Sequence, residues 1–75
     1  MNLEKVQIID RYMRSNNTGC SEAFAKKVNI SRGMLYRYIK YMKEELNAPI
    51  EYNRIKLSYQ YIEKGRLCIK GWEKQ

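Results

Sequence analysis

The sequence predicts a small α+β domain: three helices, then a β-hairpin and a short third strand. Three observations carry this expectation. Apolar residues recur at three- and four-residue steps as far as Leu46, Pro49 interrupts that period, and beyond it apolar and polar residues alternate. A chain of 75 residues supports one domain with a single modest core, because a domain of this size buries only about 60% of its unfolded surface.

Leu3, Val6, Ile9 and Met13 form one apolar stripe, which places a first helix from about residue 3 to about 15. Asn16, Asn17, Thr18 and Gly19 end it. A second helix is expected from about residue 21 to about 28. Thr18, Cys20 or Ser21 could cap it, Glu22 lies near the positive end of its dipole, and Phe24 and Val28 supply its core contacts. Asn29, Ile30 and Ser31 then form a tight connection: Asn tolerates left-handed backbone, Ile30 plugs the corner, and Ser31 caps the next helix.

This third helix is expected over about residues 32–46. At 100° per residue, Leu35, Ile39, Met42 and Leu46 fall on one side, and Gly33, Arg37, Lys40 and Glu44 on the other. Tyr36 and Tyr41 flank the polar side, while Tyr38 and Tyr41 stand at the border of the buried stripe. Thus the basic and aromatic side chains of "NISRGMLYRYIKYMKEEL" mostly occupy the face the core does not need.

Pro49 stops this helix and favours an extended residue before it. In "IEYNRIKLSYQY", Ile50 and Tyr52 alternate with Glu51 and Asn53, and Tyr59 and Tyr61 with Ser58 and Gln60. This predicts a hairpin over about residues 50–61 with Arg54, Ile55, Lys56 and Leu57 at its tip. Neither Asn-Gly nor Asp-Gly is present to set the register. Gly65 opens a last segment, about 66–72, in which Leu67 and Ile69 alternate with Arg66 and Cys68 as a short third strand. The chain shows no repeat, low-complexity tract or linker, so residues 1–75 are read as one domain.

Charge narrows the function. Fifteen Lys and Arg against eight Asp and Glu give a net charge of +7, which points to a polyanionic partner. Residues 21–46 carry six basic and three acidic side chains, and residues 47–75 carry the same. No run approaches the roughly 18 apolar residues of a membrane span, and "MNLEKVQIID" lacks the order of a signal peptide. A soluble, cytoplasmic protein without a membrane partner is expected. With no histidine and only two distant cysteines, Cys20 and Cys68, neither a four-ligand zinc site nor any other cofactor is expected. The absence of a nucleophile–base pair and of a glycine-rich phosphate loop argues against an enzyme.

The order helix, helix, tight turn, basic helix, hairpin is that of a winged helix-turn-helix. The stretch "AFAKKVNISRGMLYRYIKYMKEELNAPIEYNRIKLSYQY" resembles the DNA-binding domain of DeoR-like and WYL-type bacterial transcription regulators. Ala25, Val28, Ile30 and Ser31 at the turn, "LYRYI" in the third helix and "PIEY" before the wing carry the resemblance. It implies sequence-specific binding of double-stranded DNA by a transcription regulator, with the third helix in the major groove. Gly33 departs from the family, which often places a polar or basic side chain there, and members of the family continue into an effector-binding domain.

The candidate DNA-binding residues are Ser31, Arg32, Gly33, Tyr36, Arg37, Lys40, Arg54 and Lys56. Ser31 and the backbone N–H groups after it can hold an anion. Arg32 and Arg37 can fork onto guanine or phosphate, Lys40 adds a point charge, and the Tyr36 hydroxyl can donate to a phosphate. Gly33 can let a backbone approach closely, and Arg54 and Lys56 would lie along an adjacent groove. Tyr12, Tyr52, Tyr59 and Tyr61 read as packing residues, and Trp72 as either a cap on the sheet or a partner contact. A single module buries only about 600–1,000 Å² on DNA, so a homodimer on DNA, one formed around Leu67, Ile69 and Trp72, or a partner domain is expected. Two alternatives stay open, a protein-interaction module on the same scaffold and a single-strand binder.

Overall fold

The computed structural model describes residues 2–68 and 70–74. They form helices α1 (Leu3–Arg14), α2 (Ser21–Lys27) and α3 (Arg32–Glu44), then strands β1 (Ile50–Asn53), β2 (Ser58–Tyr61), β3 (Gly65–Cys68) and β4 (Gly71–Lys74). β1 pairs with β2 and β3 with β4, as two separate antiparallel hairpins.

The helices start and stop where local chemistry dictates. Asn2 and Ser31 cap α1 and α3, their side-chain oxygens accepting from the backbone N–H groups of Lys5 and Met34. At the other ends, Asn16, Asn29 and Asn47 all adopt left-handed backbone, with φ of 53°, 60° and 54°. After α2, Asn29 N–H donates to the Lys26 carbonyl and Ile30 N–H to that of Ala25. This pair of bonds is a Schellman motif, and it sets the angle at which α3 leaves α2. The same pairing recurs after α1, from Asn16 to Met13 and from Asn17 to Tyr12. Ile30 is half-buried against the core, as its corner position requires.

The apolar stripes meet in one core of Val6, Ile9, Met13, Phe24, Ala25, Val28, Leu35, Ile39, Met42 and Leu46, closed by Ala48 and Ile50. Tyr38 joins them, buried, with its hydroxyl accepting from Asn2 N–H. It belongs to the core side of α3, whereas Tyr41 is half-buried at the border. Leu46 is buried just past the end of α3.

The register absent from the sequence is Ile50 opposite Tyr61, Tyr52 opposite Tyr59 and Asn53 opposite Ser58. Two buried hydroxyls position this hairpin. Thr18 and Ser58 are both wholly enclosed, and Thr18 Oγ1 accepts from the backbone N–H of Tyr59 at 2.8 Å. In turn, Ser58 Oγ accepts from Thr18 N–H at 3.3 Å and lies 3.2 Å from Thr18 Oγ1. The outer edge of β2 is therefore tied to the α1–α2 loop. Thr18 does not cap α2; its N-cap is Cys20, whose side chain makes no capping bond.

The third strand expected after Gly65 is present as β3, but it does not extend the first sheet. It reverses and pairs with β4, Leu67 standing opposite Trp72 and Cys68 opposite Gly71. Gly71 has φ of +126°, open only to glycine at little cost. Ile69, expected to alternate with Leu67, lies outside the described residues. Trp72 stacks on Tyr61 with ring centroids 4.4 Å apart, and its backbone N–H donates to the Leu46 carbonyl at 2.7 Å. Among the described residues no helix is long and apolar enough to cross a membrane.

This packing has two measurable consequences. Replacing Thr18 by Val keeps the shape but leaves Tyr59 N–H without its acceptor, so urea unfolding should show a loss of about 1–3 kcal/mol. Combined with Ser58→Ala, the loss should fall short of the two single losses added together, because both remove the same contact. The second concerns Tyr61, whose hydroxyl donates to Asp10 Oδ1 at 2.5 Å. Burial first, then the bond to the Asp10 carboxylate and its charge, push this phenol well above its ordinary value of 10.0. Above about pH 10 the unfolded chain gives up a proton that folded Tyr61 keeps, so stability should fall as pH rises through that point. Denaturation midpoints between pH 8 and 11 should show a shallower decline in Tyr61→Phe.

Candidate nucleic-acid interface

Ser31, Arg32, Gly33, Tyr36, Arg37 and Lys40 are all exposed, and they lie on the first two and a half turns of α3. Ser31 Oγ is taken by Met34 N–H at 3.1 Å. The N–H groups of Arg32 and Gly33 have no acceptor among the described residues, so the positive end of α3 opens to solvent beside two arginines. Arg54 and Lys56 are exposed at the tip of the first hairpin.

Among the described residues four of the fifteen cations are engaged by the fold. Lys5 donates to the Val28 carbonyl at the end of α2, Lys27 to the Asn17 carbonyl, Arg14 pairs with Asp10 and Arg66 with Glu73. By contrast, the eleven others, among them Arg32, Arg37, Lys40, Arg54 and Lys56, form no ion pair or side-chain hydrogen bond among the described residues. The five named are candidates chosen from the sequence. Their charge is uncompensated by the fold, which is the electrostatic condition for receiving an anionic surface.

A series of side-chain contacts runs from α3 through α2 to the hairpin. Tyr36 does not present a free hydroxyl; it donates to Ser21 Oγ at 3.0 Å, at the start of α2. Tyr59 packs on Phe24 with centroids 5.8 Å apart and edge-on to Tyr52 at 4.9 Å. Tyr12 closes the series on the other side of Phe24, at 6.2 Å. Burial, followed by the neighbouring Tyr36 and Tyr52, raises the Tyr59 phenol, with the nearby Ser21 hydroxyl acting in the opposite direction. Tyr36, Ser21, Tyr59 and Tyr52 thus cluster between the exposed face of α3 and the hairpin. Tyr12, Tyr59 and Tyr61 are packing residues, as the alternation implied.

Gly33 stands clear: beyond the adjacent backbone of its own helix, a Cβ built there meets no atom of the described residues within 4 Å. An open depression lies further along the helix, lined by Tyr36, Ile39, Lys40, Lys43 and Glu44. Ser21 was missed in the sequence as part of this surface because its partner is 15 residues away. Ile55 was also passed over; its signal was an apolar residue between two cations at a turn tip. Trp72 is half-buried on Tyr61 rather than displayed, and its indole Nε1 is enclosed without an acceptor among the described residues. Among the described residues no group of three His, Cys, Asp or Glu is placed to hold a metal ion.

Compared with protein families, curated proteins and solved structures, the chain matches none.

The open space at Gly33 gives a direct test of the first turn of α3. Gly33→Ala should raise stability by about 0.5–1 kcal/mol, since the methyl restricts the unfolded chain and meets nothing in the fold. Urea unfolding of this variant should show a higher midpoint with an unchanged slope.

Proposed function

We propose that this chain binds double-stranded DNA with sequence preference and acts in transcription regulation. In this reading α2, its Schellman turn and α3 are a helix-turn-helix, and the β1–β2 hairpin is its wing. α3 enters the major groove by its N-terminal half, where Arg32 and Arg37 reach base edges. Ser31, the free N–H groups behind it and Lys40 meet phosphates, and Arg54 and Lys56 follow the adjacent backbone. Tyr36 orients the start of α2 through Ser21 rather than donating to a phosphate.

The observation that carries the reading is the set of exposed cations on α3 and the hairpin tip, Arg32, Arg37, Lys40, Lys43, Arg54 and Lys56, that the fold leaves without partners among the described residues. The resemblance of the turn, of "LYRYI" and of "PIEY" to DeoR-like and WYL-type regulators supports the same conclusion. One module of this size covers about 600–1,000 Å² of DNA. Tight binding therefore takes two copies on adjacent half-sites, or a partner domain.

Selection of bound duplexes from a random pool tests the class, and a shared motif is the expected result. Arg37 and Arg54 then have different tasks. Arg37→Ala should cost about 1–3 kcal/mol on the selected duplex and relax preference at one base pair. Arg54→Ala should weaken selected and scrambled duplexes alike, and make the dependence of log affinity on log salt shallower by about one unit. Both variants should keep the native circular dichroism spectrum, because both side chains are exposed. If Arg37→Ala leaves affinity and preference unchanged, the exposed face of α3 is a solvated face, and a protein-interaction module takes precedence.

A further inference from the structure

The β1–β2 tip holds an apolar side chain out into solvent. Ile55 is 94% exposed, and Leu57 beside it 58%. Single exposed apolar residues are common and need no explanation. This one differs in how it is held. Asn53 Oδ1 accepts from the backbone N–H groups of both Ile55 and Lys56, each at 2.9 Å, which fixes the turn from within. Leu57 closes the turn with φ of 50°, a left-handed backbone that residues with bulky side chains rarely adopt. Gly, Asn, Asp or Ser would relieve both the exposure and the strain at such a tip. The hairpin accepts conformational cost to present Ile55 between two free cations, Arg54 and Lys56, and such cost marks functional positions.

A matching partner has anionic walls with an apolar interior between them. We propose that Ile55 is a wedge that enters the minor groove of duplex DNA and partly unstacks one base step while Arg54 and Lys56 hold the phosphates on its two lips. The inference rests on the DNA-binding reading of α3 and deepens it by assigning the wing a bending role. Duplex DNA fits better than an apolar protein surface, because two cations flank the tip and one or two side chains make far too small a patch for a stable protein interface. It also fits better than an anionic lipid surface, where binding strength scales with the apolar area buried and the tip offers only Ile55 and Leu57. Here the cations continue instead onto α3, beside the Tyr52–Tyr59–Ser21–Tyr36 cluster. Apolar wedges of this kind kink the duplex toward the major groove, which would carry it toward α3.

The test uses the full chain and duplexes selected from a random pool, carrying 2-aminopurine at successive positions and a fluorophore pair at their ends. Binding by the native chain should raise 2-aminopurine fluorescence at one or two adjacent positions and shorten the end-to-end distance. Ile55→Ala should still bind, about tenfold more weakly, with both signals lost; Ile55→Leu should restore them. Ile55→Ala with unchanged affinity and unchanged signals overturns the wedge while leaving the DNA-binding reading intact. Failure of the native chain to select any duplex overturns that reading and the wedge with it. Binding to phosphatidylserine vesicles that Ile55→Ala abolishes, with duplex signals unaltered, assigns the tip to a lipid surface and likewise overturns the wedge.

Discussion

The enclosed hydrogen bonds between Thr18 and the Ser58–Tyr59 segment fix where the first hairpin stands, and most of the molecule's surface geometry depends on them. A two-stranded hairpin is not stable alone, and its outer edge would leave unpaired backbone groups. Thr18 answers one of those groups from a loop 41 residues earlier in the chain. With β2 so held, Tyr59 falls onto Phe24, and the ring series continues outward to Tyr52. The hairpin is thereby seated against the helical body that also carries α3.

Legibility in the sequence tracks the range of the interaction. The helices were readable because their determinants are local: Val6, Ile9 and Met13 at helical spacing, Ser31 as a cap, Asn29 in a turn that needs left-handed backbone. The exposed face of α3 could be read for the same reason, since a 100° step suffices to separate Arg37 and Lys40 from Leu35 and Ile39. What was not readable depends on distant partners. Nothing near Thr18 announces that Ser58 will meet it, so it looked like a helix terminator. Tyr38 lay at the angular border of its stripe, and the position of Asn2 above it favours the buried side. The hairpin register lacked a two-residue turn signal; it is set by Asn53 inside the turn and by Thr18 outside it. The last segment is legible only in part: alternation marks β3 as a strand but does not say which strand it joins, and Gly71 sends the chain back on itself as β4.

The distribution of positive charge shows the same division between near and far. Lys5 and Lys27 reach backbone carbonyls left over at a helix end and in a loop, tasks that any donor of the right length can perform. Arg14 and Arg66 sit in exposed or partly exposed pairs, worth little to stability. Net charge alone therefore overstates what is available to a partner. The relevant quantity is the charge left uncommitted, and six of those eleven cations lie on α3 and the first hairpin.

The second hairpin has a looser relation to the rest. Its described backbone connection to the helical body is the bond from Trp72 N–H to the Leu46 carbonyl, supported by the stack of Trp72 on Tyr61 and by Leu67 against the core. A unit attached in this way can open without the core melting. In amide hydrogen exchange, β3 and β4 would then exchange through a local opening well below the global unfolding free energy, whereas Tyr59, behind Thr18, would exchange only with the whole domain. The only tryptophan of the chain lies on the unit that opens first, so its fluorescence reports on the hairpin rather than on the fold.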